Sequence, residues 1–322
     1  MARSYNISSS SKPEQQKSGD EQTKKKSHWY VVPVALAVGT VIAGAAFGVV
    51  KLQEHNEDVT ITRTWEEIKS VADESDTASD NTDSETSAAV EPGWMRSSDP
   101  MKREINWDGI LGVNDEIACW IYIPDTEVDY PVLRSKKWSD NQYYLKHDVY
   151  GNSSAAGSIY MPAEVEGFED RDMHRIIIGH NMRNGSMFSS LIRYKDRGFW
   201  EVTPYVYLYY PDRTEKWMIY SSYHTVQSDE IYNMPYEAGT ALYQDLLNKI
   251  ESKKSYDTAT NGPTADSPLL TLTTCDRVSS EGNDGRFVVN AKLVDTVTAS
   301  NSDTTSTDGS LSVSQNNTER GE

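Results

Sequence analysis

Eight short apolar runs, rich in β-branched and aromatic residues, constrain this 322-residue chain more than any other feature. They read ACWIYIP, VDYPVL, GSIYM, HRIIIGH, YVYLYY, KWMIYSSYHTV, LLTLTTC and RFVVNAKLV, with clusters of Pro, Gly, Asn and Asp between them. Such residues suit a pleated, half-buried surface, and several short strands at close spacing predict a β-barrel or sandwich. Two helical patterns interrupt the series, MFSSLIRYKD and AGTALYQDLLNKIES. The second places Leu242, Leu246, Leu247 and Ile250 at helical spacing. The expectation is a mostly β domain over residues 95–297 with added α-helices.

The flanks do not share this pattern. Residues 1–28 are polar, and Lys24, Lys25 and Lys26 lie just before a run from Trp29 to Val50 that holds no charged residue. Helix of that length rises about 33 Å, enough to cross a hydrocarbon core of about 30 Å. Residues 29–50 are therefore expected to be a transmembrane anchor. Pro33 near its start is tolerated there, and the basic cluster predicts a cytoplasmic amino terminus with everything after Lys51 outside the cell. A cleaved signal peptide is the rival, since Ala43-Gly44-Ala45 resembles a cleavage site, but a secretory apolar core spans only about 7–15 residues. Residues 51–94 read as an extracellular acidic linker with a short helix around TWEEIK. From Glu54 to Glu91 twelve acidic residues face two basic ones, Arg63 and Lys69. With so little apolar surface to bury, most of that segment is expected to stay solvated, and the tail 298–322 reads as disordered for the same reason.

A net charge of −18 argues against a nucleic-acid partner, which needs clustered Lys and Arg. There is no HExxH, no cysteine pair at ligand spacing and no glycine-rich phosphate loop, so neither metal nor cofactor is expected. The two cysteines, Cys119 and Cys275, are too few for a disulfide framework. One bridge between them is the alternative to two thiols.

Cys119 lies inside an apolar strand, flanked by Ala118 and Trp120, and reads as inert core. Cys275 ends the run LLTLTTC at a polar loop, and RFVVNAKLV begins at Arg286. If the two runs pair as an antiparallel hairpin, Cys275 and Arg286 face each other with Cβ atoms about 4.5–5.5 Å apart. A guanidinium there favours a thiolate or a developing oxyanion. A cysteine enzyme also needs a proton carrier, usually histidine. His28 and His55 lie in the flanks, and His147 and His174 sit among charged residues and read as solvated. His180, leaving a buried run beside a Gly- and Asn-rich turn, and His224, inside a strand, both remain open on this reading.

The segments GHNMRNGSMFSSL (Gly179–Leu191) and TLTTCD (Thr271–Asp276), followed by GRFVVNAKLV, closely resemble the class B sortases of Gram-positive bacteria. The likeness spans most of residues 101–297. It implies a closed eight-stranded β-barrel with added helices, and AGTALYQDLLNKI looks like the insertion that marks class B. It also implies a catalytic set of Cys275 as nucleophile, His180 as proton carrier and Arg286 as anchor for substrate and oxyanion. Asn141, Leu145, Thr273 and Asp276 match positions that line the family's substrate groove. The implied reaction is cleavage of a C-terminal sorting signal after its Thr and transfer to an amine. The donors would be secreted surface proteins, and the acceptor a peptidoglycan cross-bridge precursor. Three alternatives keep the same residues: a pilin lysine as acceptor, hydrolysis by water, or a non-enzymatic surface module in which Cys275 is incidental.

Overall fold

The computed structural model describes residue 51 and residues 58–73, 99–136, 142–163, 172–276 and 284–298. The anchor expected at 29–50, the tail 299–322 and Asn141 lie outside them. Among the described residues, no helix is long and apolar enough to cross a membrane.

Every apolar run becomes a strand. In chain order these are β1 (Ile117–Tyr122), β2 (Asp129–Arg134), β3 (Ile159–Met161), β4 (His174–Ile178), β5 (Tyr205–Tyr209), β6 (Arg213–Val226), β7 (Leu269–Cys275) and β8 (Gly285–Thr298). They close into a barrel in the order β1-β2-β3-β4-β7-β8-β6-β5. Closure pairs every strand on both sides, so no sheet edge is left open. β2–β3 and β4–β7 are parallel, and the other neighbours are antiparallel.

Alternation along the strands sorts residues to two faces. Leu270 and Leu272 of β7 and Phe287, Val289 and Ala291 of β8 join the interior cluster, built around Trp120 and Trp217. Leu269 and Val288 point outward, into a second cluster beneath helix α4 (Ala241–Ser252), which follows α1 (58–73), α2 (Trp107–Val113) and α3 (Arg197–Val202) in the chain. α4 begins at Thr240, whose hydroxyl accepts the Tyr243 N–H at 3.3 Å, and buries Tyr243, Leu246, Leu247 and Ile250. Leu242 is 64% exposed instead of packed. Tyr243, not Leu242, completes the i, i+3, i+4, i+7 stripe.

The linker expected from residue 51 is shorter than its composition suggested. Residues 58–73 form helix α1, with Ile61, Trp65, Ile68 and Ala72 buried in the interior-facing cluster. Trp65 meets Tyr130 of β2 edge-on, with ring centroids 5.4 Å apart. The buried Arg103 guanidinium donates to Asp129 at 2.6 Å and reaches Asp73 of α1 at 3.5 Å. Glu66 and Glu67 lie on the exposed side of this amphipathic helix and Asp73 is paired with Arg103, so a count of charge alone concealed its buried stripe. Truncating Ile68, which is fully buried, is expected to cost about 2–5 kcal/mol. Urea unfolding of Ile68→Ala should show a matching fall in midpoint, whereas a solvated linker would leave the midpoint unmoved.

Candidate active site

Strand direction assembles the site. Ile178 of β4 lies opposite Thr273 of β7 in parallel register, so both chains leave the barrel at one rim. β8 starts from that rim in the antiparallel sense, with Cys275 paired to Arg286. Hydrogen bonds carry the β4–β7 alignment past the end of β4. The Gly179 N–H donates to the Thr273 carbonyl at 3.1 Å, and the Thr274 hydroxyl donates to the Gly179 carbonyl at 2.8 Å. The Asn181 amide then donates to the Cys275 carbonyl at 3.0 Å. His180, Cys275 and Arg286 thus stand at one level on three neighbouring chains.

Two glycines make room for this arrangement. A Cβ on Gly179 would run into the side chains of Ile159 and Phe188, so only glycine lets the chain turn past them. Gly157, at φ +54°, lies against the carbonyls of Tyr144 and Leu145. The Leu145 carbonyl in turn accepts a hydrogen bond from His180 Nε2 at 2.9 Å. A carbonyl can only accept, so Nε2 carries a hydrogen and Nδ1 is the nitrogen that can exchange a proton.

Arg286 is oriented by oxygens at both ends of its fork. Nη1 donates to the Gly285 carbonyl at 2.9 Å, and Nη2 donates to Gln227 Oε1 at 2.8 Å. Tyr160 and Tyr232 lie near Cys275 and Arg286. Burial pushes each phenol up to about 12.

The two cysteines differ as their settings require, and no disulfide joins them. Cys119 is fully buried in β1, and desolvation pushes its thiol up to about 12. Cys275 is half-buried at the rim.

His224, the competitor to His180, lies on the other face. It pairs with the inward-facing Phe287, while its neighbour Thr225 pairs with Arg286. Its ring contacts Phe287, and its Nδ1 lies against Asp276 Oδ2. Asp276, expected at the substrate groove, is only 1% exposed and also meets Lys195 Nζ at 3.7 Å. It follows Cys275 and therefore faces the opposite way. Thr273 shares the outer face with Cys275 but is buried, its hydroxyl 2.8 Å from that of Tyr232. Leu145 reaches the site through its backbone carbonyl, and its side chain packs against the core. The sequence reading missed Asn181, Gln227 and Tyr232. They lie in turns with no periodic signal, and only the fold brings them to the rim.

His174, expected to be solvated, is 1% exposed beneath Tyr236. Thr271 donates its hydroxyl hydrogen to Asn290 at 2.8 Å, so it accepts from His174 Nε2, also at 2.8 Å. Burial alone lowers His174 to about 3.

A model of the sortase domain matches residues 121–294, more than half of the chain. Sortase B of Listeria monocytogenes is 34% identical over 183 residues, covering 56% of this chain and 71% of that protein. This chain belongs to the class B sortases. As a sortase it is a cysteine transpeptidase. Sortase B of Staphylococcus aureus is 28% identical over 190 residues, covering 58% of this sortase and 74% of that protein. The solved sortase B of Bacillus anthracis superposes with a TM-score of 0.57 at 26% identity, covering 74% of this sortase and 99% of that chain. Sortase B of Clostridium perfringens gives a TM-score of 0.53 at 28% identity, over 58% and 99% of the two chains. Family membership removes the reading of a non-enzymatic surface module.

The buried neutral His174 makes the stability of this sortase pH-dependent with a definite sign. In the unfolded chain it takes a proton near pH 6.5, but in the fold only near 3. Its contribution is complete above pH 6.5 and is lost as pH falls, by at most about 1.4 kcal/mol per pH unit. Urea unfolding at pH 7.5 and pH 5 should show wild type losing more stability on acidification than His174→Gln.

Proposed function

We propose that this sortase cuts the C-terminal sorting signal of secreted surface proteins after a threonine and joins the new carboxyl end to a peptidoglycan cross-bridge amine. Cys275 would be its nucleophile, His180 its proton carrier and Arg286 its anchor for substrate and oxyanion. The observation that supports this most is the alignment of those three residues at one rim, one on each of three adjacent chains. The Cys275 thiolate attacks the threonyl carbonyl, and the oxyanion that forms lies within the field of Arg286. The amide then breaks, the leaving amine takes a proton from His180 Nδ1, and a thioester to Cys275 remains. An incoming amine gives its proton back to Nδ1, attacks the thioester carbonyl and expels the thiolate. Every proton taken in the first half is returned in the second.

The same reading places the enzyme at the outer face of the cell membrane, held by residues 29–50 with the amino terminus in the cytoplasm. The uncharged length of that run and the lysines before it support this. Secreted donors and wall precursors meet at that surface. A solved complex of the Staphylococcus aureus sortase B with its substrate provides a frame for the donor peptide.

The test is incubation with a sorting-signal peptide and oligoglycine, followed by mass spectrometry. Wild type should form the ligated peptide and a transient covalent adduct on Cys275, and Cys275→Ala should form neither. His180→Ala and Arg286→Ala should lower kcat/KM by factors on the order of 10²–10⁴ and 10²–10³ respectively. Ligation by the Cys275→Ala protein would defeat the reading, and free acid as the sole product despite abundant amine would make the enzyme a hydrolase.

A further inference from the structure

The turn that follows His180 closes on itself and on the barrel. The His180 carbonyl accepts the Phe188 N–H at 2.9 Å, and Asn181 pairs with Met187 in an isolated antiparallel bridge. Met187 stands at φ +57°, a left-handed conformation that side chains other than glycine seldom adopt. Such a conformation persists only where its surroundings hold it. Met187 is fully buried, and its N–H donates to the Tyr130 hydroxyl at 3.2 Å. Tyr130 belongs to β2 and is itself held by α1: Trp65 meets its ring edge-on, and Lys69 Nζ lies 5.2 Å from the ring centroid. α1 also reaches the turn directly, where Asp58 accepts from the Asn184 amide at 3.1 Å. A line of contacts therefore runs from α1, through one tyrosine hydroxyl, to the backbone of His180.

We propose that Tyr130 is a positioning residue for the transpeptidation, holding through Met187 the turn that sets the backbone of His180. The role rests on the reading of His180 given under the proposed function. Two hydrogen bonds of His180 divide the work: its ring donates to the Leu145 carbonyl, and its own carbonyl accepts from Phe188. The first sets the tautomer and leaves Nδ1 to exchange the proton. The second sets where that nitrogen stands. Proton transfer to a leaving amine needs hydrogen-bond reach, and a displacement of about 1 Å can cost on the order of 10²-fold in rate. Removing the Tyr130 oxygen takes the acceptor from a buried N–H in a left-handed residue, and the turn relaxes. α1 belongs to the same device, because Trp65 fixes the ring that carries the hydroxyl.

A thioester analogue of the sorting-signal peptide separates positioning from general damage, because a thiolate leaves without a proton and an amine does not. With the full chain, the rate of forming the covalent adduct on Cys275 is measured for the amide and the thioester peptide. Tyr130→Phe removes the oxygen and keeps the ring against Trp65. It should slow the amide peptide about tenfold with KM unchanged, and leave the thioester within a factor of about two. Trp65→Phe should show the same selectivity on a smaller scale, and it carries the test if Tyr130→Phe does not fold. Equal loss on both peptides would make the tyrosine merely structural, and no loss on either would make it idle; each result overturns the positioning role. His180→Ala tells the two failures apart. If it slows the amide while Tyr130→Phe matches wild type, the reading of His180 survives alone. If it matches wild type on the amide, both fall.

Discussion

Parallel pairing between β4 and β7 is the constraint on which the rest of the molecule depends. A parallel pair sends both chains out of the sheet at the same end, and the register of Ile178 with Thr273 brings the residues beyond β4 level with the end of β7. β8 then returns antiparallel from that end. An imidazole from a distant part of the chain joins a thiol and a guanidinium from one hairpin because two pairings of opposite sense share one strand. A slip of one residue in either pairing would turn a member of the set to the other face.

That same alternation separates two charge systems. Outward-facing Cys275 and Arg286 look toward the turn after β6, while the residues next to each, Asp276 and Phe287, look inward beside His224 and Lys195. The acidic side chain adjacent to the thiol in sequence thus meets His224 and Lys195 on the opposite face.

The outer face of β7 had to bury polar side chains to keep this strand in place. Thr271 and Thr273 are covered by the layer of α4 and the turn before it, and each finds a partner: Asn290 and His174 for the first, Tyr232 for the second. Unsatisfied, such hydroxyls would each cost about 1–3 kcal/mol. Satisfied, they hold the strand leading to Cys275 in a single register. Helix α1 does comparable work on the far side of the barrel, where Arg103 ties Asp73 to Asp129.

Much of this was written in the amino-acid order. Eight apolar runs became eight strands among the described residues because strands covered on both faces read as short, nearly continuous apolar runs. The opposition of Cys275 and Arg286 was legible too, since a hairpin requires only neighbours in the chain. The residues alone left His180 and His224 both open, and only the resemblance pointed to His180; that His224 takes the face of Phe287 depends on the β6–β8 register, which no local pattern records. The burial of Asp276 and His174, the stripe of α1 and the reach of Gln227 to Arg286 were not legible either. Those depend on which distant surface covers a residue. A local pattern records the period of an element, and the partner that buries or charges it is chosen only when the chain closes on itself.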